Sequence, residues 1–173
     1  MKRVAIFGPE STGKTQLAGK LAAHFGAPLV AEYARERWDQ QGGVLTLEDM
    51  LPVACEQWRR EDVAAATGGQ LIICDTDALT TMLWSDLLYG TTPDELRRGA
   101  EKRCRNYALY LLLDIDVPFA PDPQRCFPDP ADREKCMRIW RGALDRRHLP
   151  CELIQGDWAQ REQRAIAAIS RLL

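Results

Sequence analysis

The sequence predicts an α/β fold of three layers, with helices on both faces of a five-stranded parallel sheet. Three observations carry that expectation. Short apolar runs alternate with longer segments of helical spacing along the whole chain. A glycine-rich phosphate-binding motif stands between the first run and the first helical segment. No Gly/Ser linker, internal repeat or low-complexity tract divides the 173 residues, so a single domain spanning residues 1–173 is expected.

The apolar runs are Val4–Phe7, Pro28–Ala31, Leu71–Cys74, Tyr110–Leu113 and Cys151–Ile154, each short enough for a strand buried on both faces. Between them Leu17, Leu21 and Phe25 recur every fourth residue, as do Leu79, Leu83 and Leu87. Leu47, Leu51, Ala54 and Trp58 mark a third helix, and Ala165, Ile169 and Leu172 a last one. Strand and helix in alternation imply right-handed crossovers and a doubly wound sheet whose ligands sit at the carboxyl ends of the strands. Val117–Pro130 holds five prolines and must be a loop. The arginine-rich helical stretch Ala131–Arg147 follows it, so residues of about 117–135 are expected to form a lid over an anionic ligand.

A net charge of -2 and a pI near 5.8 argue against a protein built to grip nucleic acid. The six cysteines show no metal-binding spacing and are expected to be reduced thiols, mostly filling the core. The opening run MKRVAIF is interrupted by Gly8 and Pro9, so neither a signal peptide nor a membrane span is expected, and the protein is read as cytoplasmic.

Residues 8–15, GPESTGKT, match G-x-x-x-x-G-K-[ST] in full and lie between an expected strand and an expected helix. Gly8 and Gly13 let the backbone bend so that the N–H groups of Glu10, Ser11, Thr12 and their neighbours converge on phosphate oxygens at a helix N-terminus. Lys14 adds a full positive charge at the β- and γ-phosphates, and the Thr15 hydroxyl is suited to magnesium. The implied ligands are ATP and Mg2+. A GTPase would need Asn-Lys-x-Asp, but the single asparagine, Asn106, precedes Tyr107. A motor or AAA-type ATPase normally adds a helical domain for which this length leaves little room. A small-molecule kinase of the nucleoside or nucleoside-monophosphate kinase type fits best, with a nucleotide-gated sensor module as the alternative.

Phosphoryl transfer needs in-line positioning, charge neutralisation and a carboxylate at the acceptor hydroxyl. Asp75 follows the apolar run Leu71–Cys74 and is placed to hold magnesium with Thr15. Glu32, at the tip of a second strand expected beside the first, is placed to act as base. Arg125 and Arg133 are the lid cations expected on the transferred group. Trp84 is placed to border an acceptor ring, the other tryptophans being read as packing. Between Leu29 and Ala64 eight acidic residues face four arginines, which suits a neutral or cationic acceptor.

Taken together, GPESTGKT (8–15), AEYARE (31–36), CDTDALTT (74–81) with Trp84, YLLLDIDVP (110–118), Asp122 with Arg125, and GDWAQR (156–161) resemble the ribosylnicotinamide kinase domain family. The resemblance covers nearly the whole chain and implies ATP-dependent phosphorylation of the 5′-hydroxyl of nicotinamide riboside, or of another nucleoside or small alcohol. It implies nucleotide contacts from Trp158 and Arg161, and acceptor contacts from Glu32, Tyr33, Arg35, Asp75, Asp77, Trp84 and Asp122. Phe119 and Pro123 stand where the family usually has tryptophan and glycine.

Overall fold

All five apolar runs form strands in the computed structural model, which describes residues 1–173. The strands are β1 (Lys2–Phe7), β2 (Leu29–Val30), β3 (Leu71–Asp75), β4 (Leu109–Leu113) and β5 (Cys151–Ile154), all parallel in the order β2-β3-β1-β4-β5. The helices are α1 (Lys14–Phe25), α2 (Tyr33–Gln40), α3 (Leu47–Ala66), α4 (Ala78–Tyr89), α5 (Asp94–Arg103), α6 (Pro130–Asp145) and α7 (Trp158–Ser170). None is long and apolar enough to cross a membrane.

The strands are apolar throughout because both faces of the sheet are covered. Val4, Ile6, Ile73, Leu111 and Leu113 pack with Leu17 and Leu21 of α1 and Ala165 and Ile169 of α7. The alternate residues Ala5, Phe7, Ile72, Tyr110 and Leu112 pack with Ala54 of α3, Leu79 and Met82 of α4, and Trp140 of α6. Each buried Leu, Ile or Phe contributes roughly 1.5–3 kcal/mol, so the sandwich is the main source of stability. Helix α4 is buried around most of its circumference, which leaves its expected apolar stripe only one part of a wider apolar surface.

Three expectations need correction. β2 is a two-residue edge strand that pairs with β3, not with β1, because the chain crosses to the edge before returning through β3. Glu32, expected at the tip of that strand, is instead the N-cap of α2, because the residues after it, Tyr33–Gln40, are helical. Of the six cysteines, Cys74, Cys104 and Cys136 are buried as core residues, whereas Cys55, Cys126 and Cys151 are exposed. Helix α5 escaped the apolar periodicity because it buries only Leu96 and Ala100, one four-residue step.

A buried cluster behind α3 makes stability depend on pH. Glu61, fully buried, accepts the Tyr107 hydroxyl at 2.8 Å on both carboxylate oxygens. Arg3 and Arg103 lie 3.4 and 4.0 Å from it but sit closer to Asp62, at 2.9 and 2.7 Å. Burial outweighs the Tyr107 hydrogen bond and both arginines and pushes Glu61 up to about 7. Between the ordinary glutamate value and about 7 the folded chain holds this proton and the unfolded chain releases it. The stabilisation is therefore present in acid and lost as pH rises through about 7. Glu61→Gln keeps an acceptor for Tyr107 and is expected to reduce the fall of stability with pH by up to ~1.4 kcal/mol per pH unit. Thermal melts of both proteins across this range check it, and parallel curves would refute it.

Candidate active site

Strand β1 ends in the core at Phe7, and the chain turns through Gly8–Gly13 directly into α1. The turn requires its glycines: Gly8 has φ +145° and a Cβ there would meet the Leu113 carbonyl oxygen at 2.9 Å. Gly13 has φ +83°, and a Cβ would strike the Trp158 ring at 2.5 Å. Ser11 takes a positive φ of 57° without being glycine. Thr12 Oγ1 donates to the Pro9 carbonyl at 2.9 Å and Lys14 Nζ donates to the same oxygen at 2.7 Å, which draws the loop into a ring.

Arg161 braces this ring from beneath. It is 1% exposed, and its guanidinium donates to the carbonyls of Thr12 at 3.0 Å, Asp114 at 2.9 Å and Gly156 at 2.9 Å, with Asp116 as its ion-pair partner. Arg161, expected at the nucleotide, turns its donors to backbone oxygens and so positions the loop. Trp158 lies against Gly13 and borders the cleft.

A single cleft of about 780 Å³ runs from the phosphate loop, Glu10–Gln16, to an apolar chamber between α2, α3 and α4. Glu32, Arg35, Trp84 and Arg125 line it as expected, together with the loop residues Glu10–Thr15. Burial raises the Glu32 carboxyl above the usual glutamate value; Lys14 and Arg35 oppose this and Asp75 adds to it. Asp75 lies just behind the wall, 1% exposed, with Oδ1 lacking any hydrogen-bond partner. Its carboxyl is raised by burial and pulled back by the neighbouring Thr15 hydroxyl and by the Lys14 and Arg35 charges. Lys14, Thr15, Glu32 and Asp75 therefore form one electrostatic group at the carboxyl ends of β1, β2 and β3.

The loop between β4 and α6 closes over this group. Glu10 accepts the backbone N–H of Cys126 at 2.9 Å and of Phe127 at 2.6 Å, and Ser11 Oγ accepts that of Ala120 at 2.8 Å. Arg125 Nη1 reaches Ser11 Oγ at 3.4 Å, which places a cation at the phosphate loop.

Several expected contacts do not reach the cleft. Tyr33 turns toward α3, under the Arg60 guanidinium at 4.5 Å from its ring centroid. Asp77 caps α4, accepting from Thr80 N at 3.0 Å and from the Tyr110 hydroxyl at 2.9 Å. Asp122 pairs with Arg35 at 3.1 Å and ties the lid to α2 instead of facing the acceptor. Arg133 donates to the Val117 carbonyl at 3.0 Å and lies 5.8 Å from the Phe119 ring, so it anchors the root of the lid. The excess of acids between Leu29 and Ala64 is also not the charge of the cavity. Glu36 pairs with Arg60, Asp49 with Arg37, and Glu56 with Arg59 and Arg60, leaving Glu32 as that segment's acid at the cleft.

Trp38, Met50, Val53, Gln57 and Tyr89 line the chamber and were not singled out in the sequence. Met50, Val53 and Gln57 share one face of α3 at i, i+3 and i+7, and a glutamine on an otherwise apolar face was the available signal.

The family model AAA_28, described as an AAA domain, matches residues 3–161. Its label is the class set aside above for want of a further helical domain; the match requires none, since it runs over the phosphate-loop domain itself. The trifunctional NAD biosynthesis/regulator protein NadR of Escherichia coli (strain K12) is 26% identical over 143 residues, 80% of this chain and 34% of that protein. The NadR of Salmonella typhimurium is 27% identical over 138 residues, 78% of this chain and 33% of that protein. The chain thus spans about a third of the length of these curated relatives. Among solved structures, NadR protein in complex with NR superposes with a TM-score of 0.80 at 24% identity, covering 98% of this chain and 51% of that one. Deoxyadenosine kinase from M. mycoides with bound dATP gives 0.64 at 12% identity, covering 98% and 100%. The fold is that of the phosphate-loop kinases.

Proposed function

The chain belongs to the AAA_28 family of AAA domains, and we propose that this member is a cytoplasmic ATP-dependent kinase that phosphorylates the 5′-hydroxyl of nicotinamide riboside to nicotinamide mononucleotide. The observation that carries the reading is one cleft in which a phosphate loop and an aromatic chamber meet at Glu32. The relative crystallised with NR shares this fold across nearly the whole chain and supports the choice of acceptor.

The site residues fit ATP and magnesium. The loop's positive-φ turns at Gly8, Ser11 and Gly13 present consecutive backbone N–H groups at the start of α1, as a triphosphate requires. The buried Asp75 Oδ1, without a partner beside Thr15, suits a magnesium shell. When bound, the metal neutralises charge on the phosphate oxygens. Thr15 and Asp75 would hold it, and Lys14 would move from Pro9 to the β- and γ-phosphates. Arg125 would add charge from the lid side, and Glu32 would orient the acceptor hydroxyl and take its proton. Lid closure excludes water, which directs transfer to the acceptor rather than to hydrolysis.

Trp38, Trp84 and Tyr89 line the chamber, and an aromatic lining suits a cationic pyridinium, an interaction of about 0.5–2 kcal/mol. Nicotinamide riboside is therefore expected to exceed uridine in kcat/KM by roughly tenfold, measured as acceptor-dependent ATP consumption. Equal efficiency would remove the pyridinium assignment. ATP consumption unaffected by any acceptor would favour a nucleotide-gated sensor instead.

A further inference from the structure

Phe127, in the loop between β4 and α6, is attached to both halves of the cleft. Its backbone N–H donates to Glu10 Oε1 of the phosphate loop at 2.6 Å, beside that of Cys126 at 2.9 Å. Its half-buried ring stacks on Trp84 of α4, with centroids 6.1 Å apart and planes 11° from parallel. Trp84 lines the chamber and meets Trp140 of the core edge-on at 4.9 Å. Phe127 is not itself part of the cleft lining, so the stack leaves the chamber free for a ligand. The two attachments differ in kind. A carboxylate that accepts backbone N–H groups makes charge-assisted bonds, which are about twice as strong as neutral ones, so Glu10 is the firm hold. An aromatic pair is weaker and depends on the plane of each ring, so Trp84 is the adjustable one.

We propose that Phe127 is a positioning residue through which a ring bound in the chamber holds the lid on the phosphate loop. The proposal rests on the kinase reading. A ring seated beside Trp84 fixes the plane on which Phe127 stacks, and the stack keeps the Phe127 N–H on Glu10. With the lid held there, water is kept from the transferred group and ATP is spent on the acceptor instead of on hydrolysis. Acceptor binding and lid closure then favour one another by the same factor, as linkage requires.

Hydrogen exchange of the lid segment that holds Cys126 and Phe127 reads this latch without relying on turnover. Each protein carries a non-hydrolysable ATP analogue and magnesium, with and without nicotinamide riboside, and exchange across the sheet is the folding control. In the wild type the riboside is expected to slow exchange of the lid segment by roughly 2–10-fold, the range of one aromatic pair. Phe127→Ala keeps the backbone N–H but loses the ring, and is expected to abolish the slowing; Phe127→Tyr should restore it. Phe127→Leu keeps apolar bulk without an aromatic face, and should lose most of the slowing. In turnover with ATP and the riboside, Phe127→Ala is expected to raise the share of ATP lost to water by a similar factor, and Phe127→Tyr is not. Slowing of wild-type size in Phe127→Ala or Phe127→Leu overturns the role of Phe127 and leaves the kinase reading intact. So does a wild type that phosphorylates the riboside with no slowing. A wild type that neither phosphorylates the riboside nor responds to it in exchange overturns the acceptor reading itself, and the inference with it.

Discussion

Lys14→Ala is expected to lower phosphoryl transfer by about 10²–10³-fold or more, since it removes the positive charge proposed to act on the transferred group. The fold should survive. The side chain is half-buried at the cleft wall and its one protein hydrogen bond is to the Pro9 carbonyl, so truncation opens no hole in either apolar cluster. Thr12 Oγ1 still holds Pro9 in the variant. Turnover measured at saturating nucleotide, alongside a thermal melt, separates the two effects. Undiminished turnover in a folded variant would remove the kinase reading altogether.

The second large effect is expected at the paired carboxylates. Glu32→Gln should lower kcat by roughly 10²-fold, the range of a positioned general base, with nucleotide affinity close to wild type. Burial raises the Glu32 carboxyl, so the wild-type rate should fall in acid with a midpoint above the usual glutamate value. Gln at this position should remove that acid limb. Asp75→Asn should instead raise the magnesium concentration needed for half-maximal rate and depress background hydrolysis of ATP by water, because it acts on every nucleotide complex. The loose character of phosphoryl transfer sets a limit on the base: if Glu32 only orients the hydroxyl, the loss appears mainly in KM. Loss of nucleotide binding in Glu32→Gln, with loss of transfer alone in Asp75→Asn, would reverse the two roles.

Regular structure and the phosphate site were legible because they are encoded locally. A strand buried on both faces is a short apolar run, a surface helix is a three-and-four periodicity, and GPESTGKT sets its own turn through Gly8 and Gly13. Each strand expected from its apolar run is present, with β1, β3 and β4 extended by a residue or two and β2 shortened. The proline-rich segment is irregular as far as Asp129, as its fixed φ angles and missing donors demand, and its last proline, Pro130, opens α6, where a missing donor costs nothing. The side chains that look functional by position divide less cleanly. Glu32, Asp75, Arg125 and Trp84 gather at or just behind the cleft, whereas Tyr33, Asp77, Asp122, Arg133 and Arg161 have other partners.

What the sequence by itself determined is the fold class, the phosphate loop and the strand ends from which a site must be built, since these depend on residues adjacent in the chain. The tertiary structure alone decided that β2 lies at the edge beyond β3, that Arg161 braces the loop from beneath, and that most acids of residues 29–64 are neutralised by nearby arginines. It also decided that Met50, Val53 and Gln57 line the chamber. The reason is physical: a parallel crossover permits more than one neighbour for a strand, and a polar side chain takes whichever partner the packing of distant segments brings within about 3 Å.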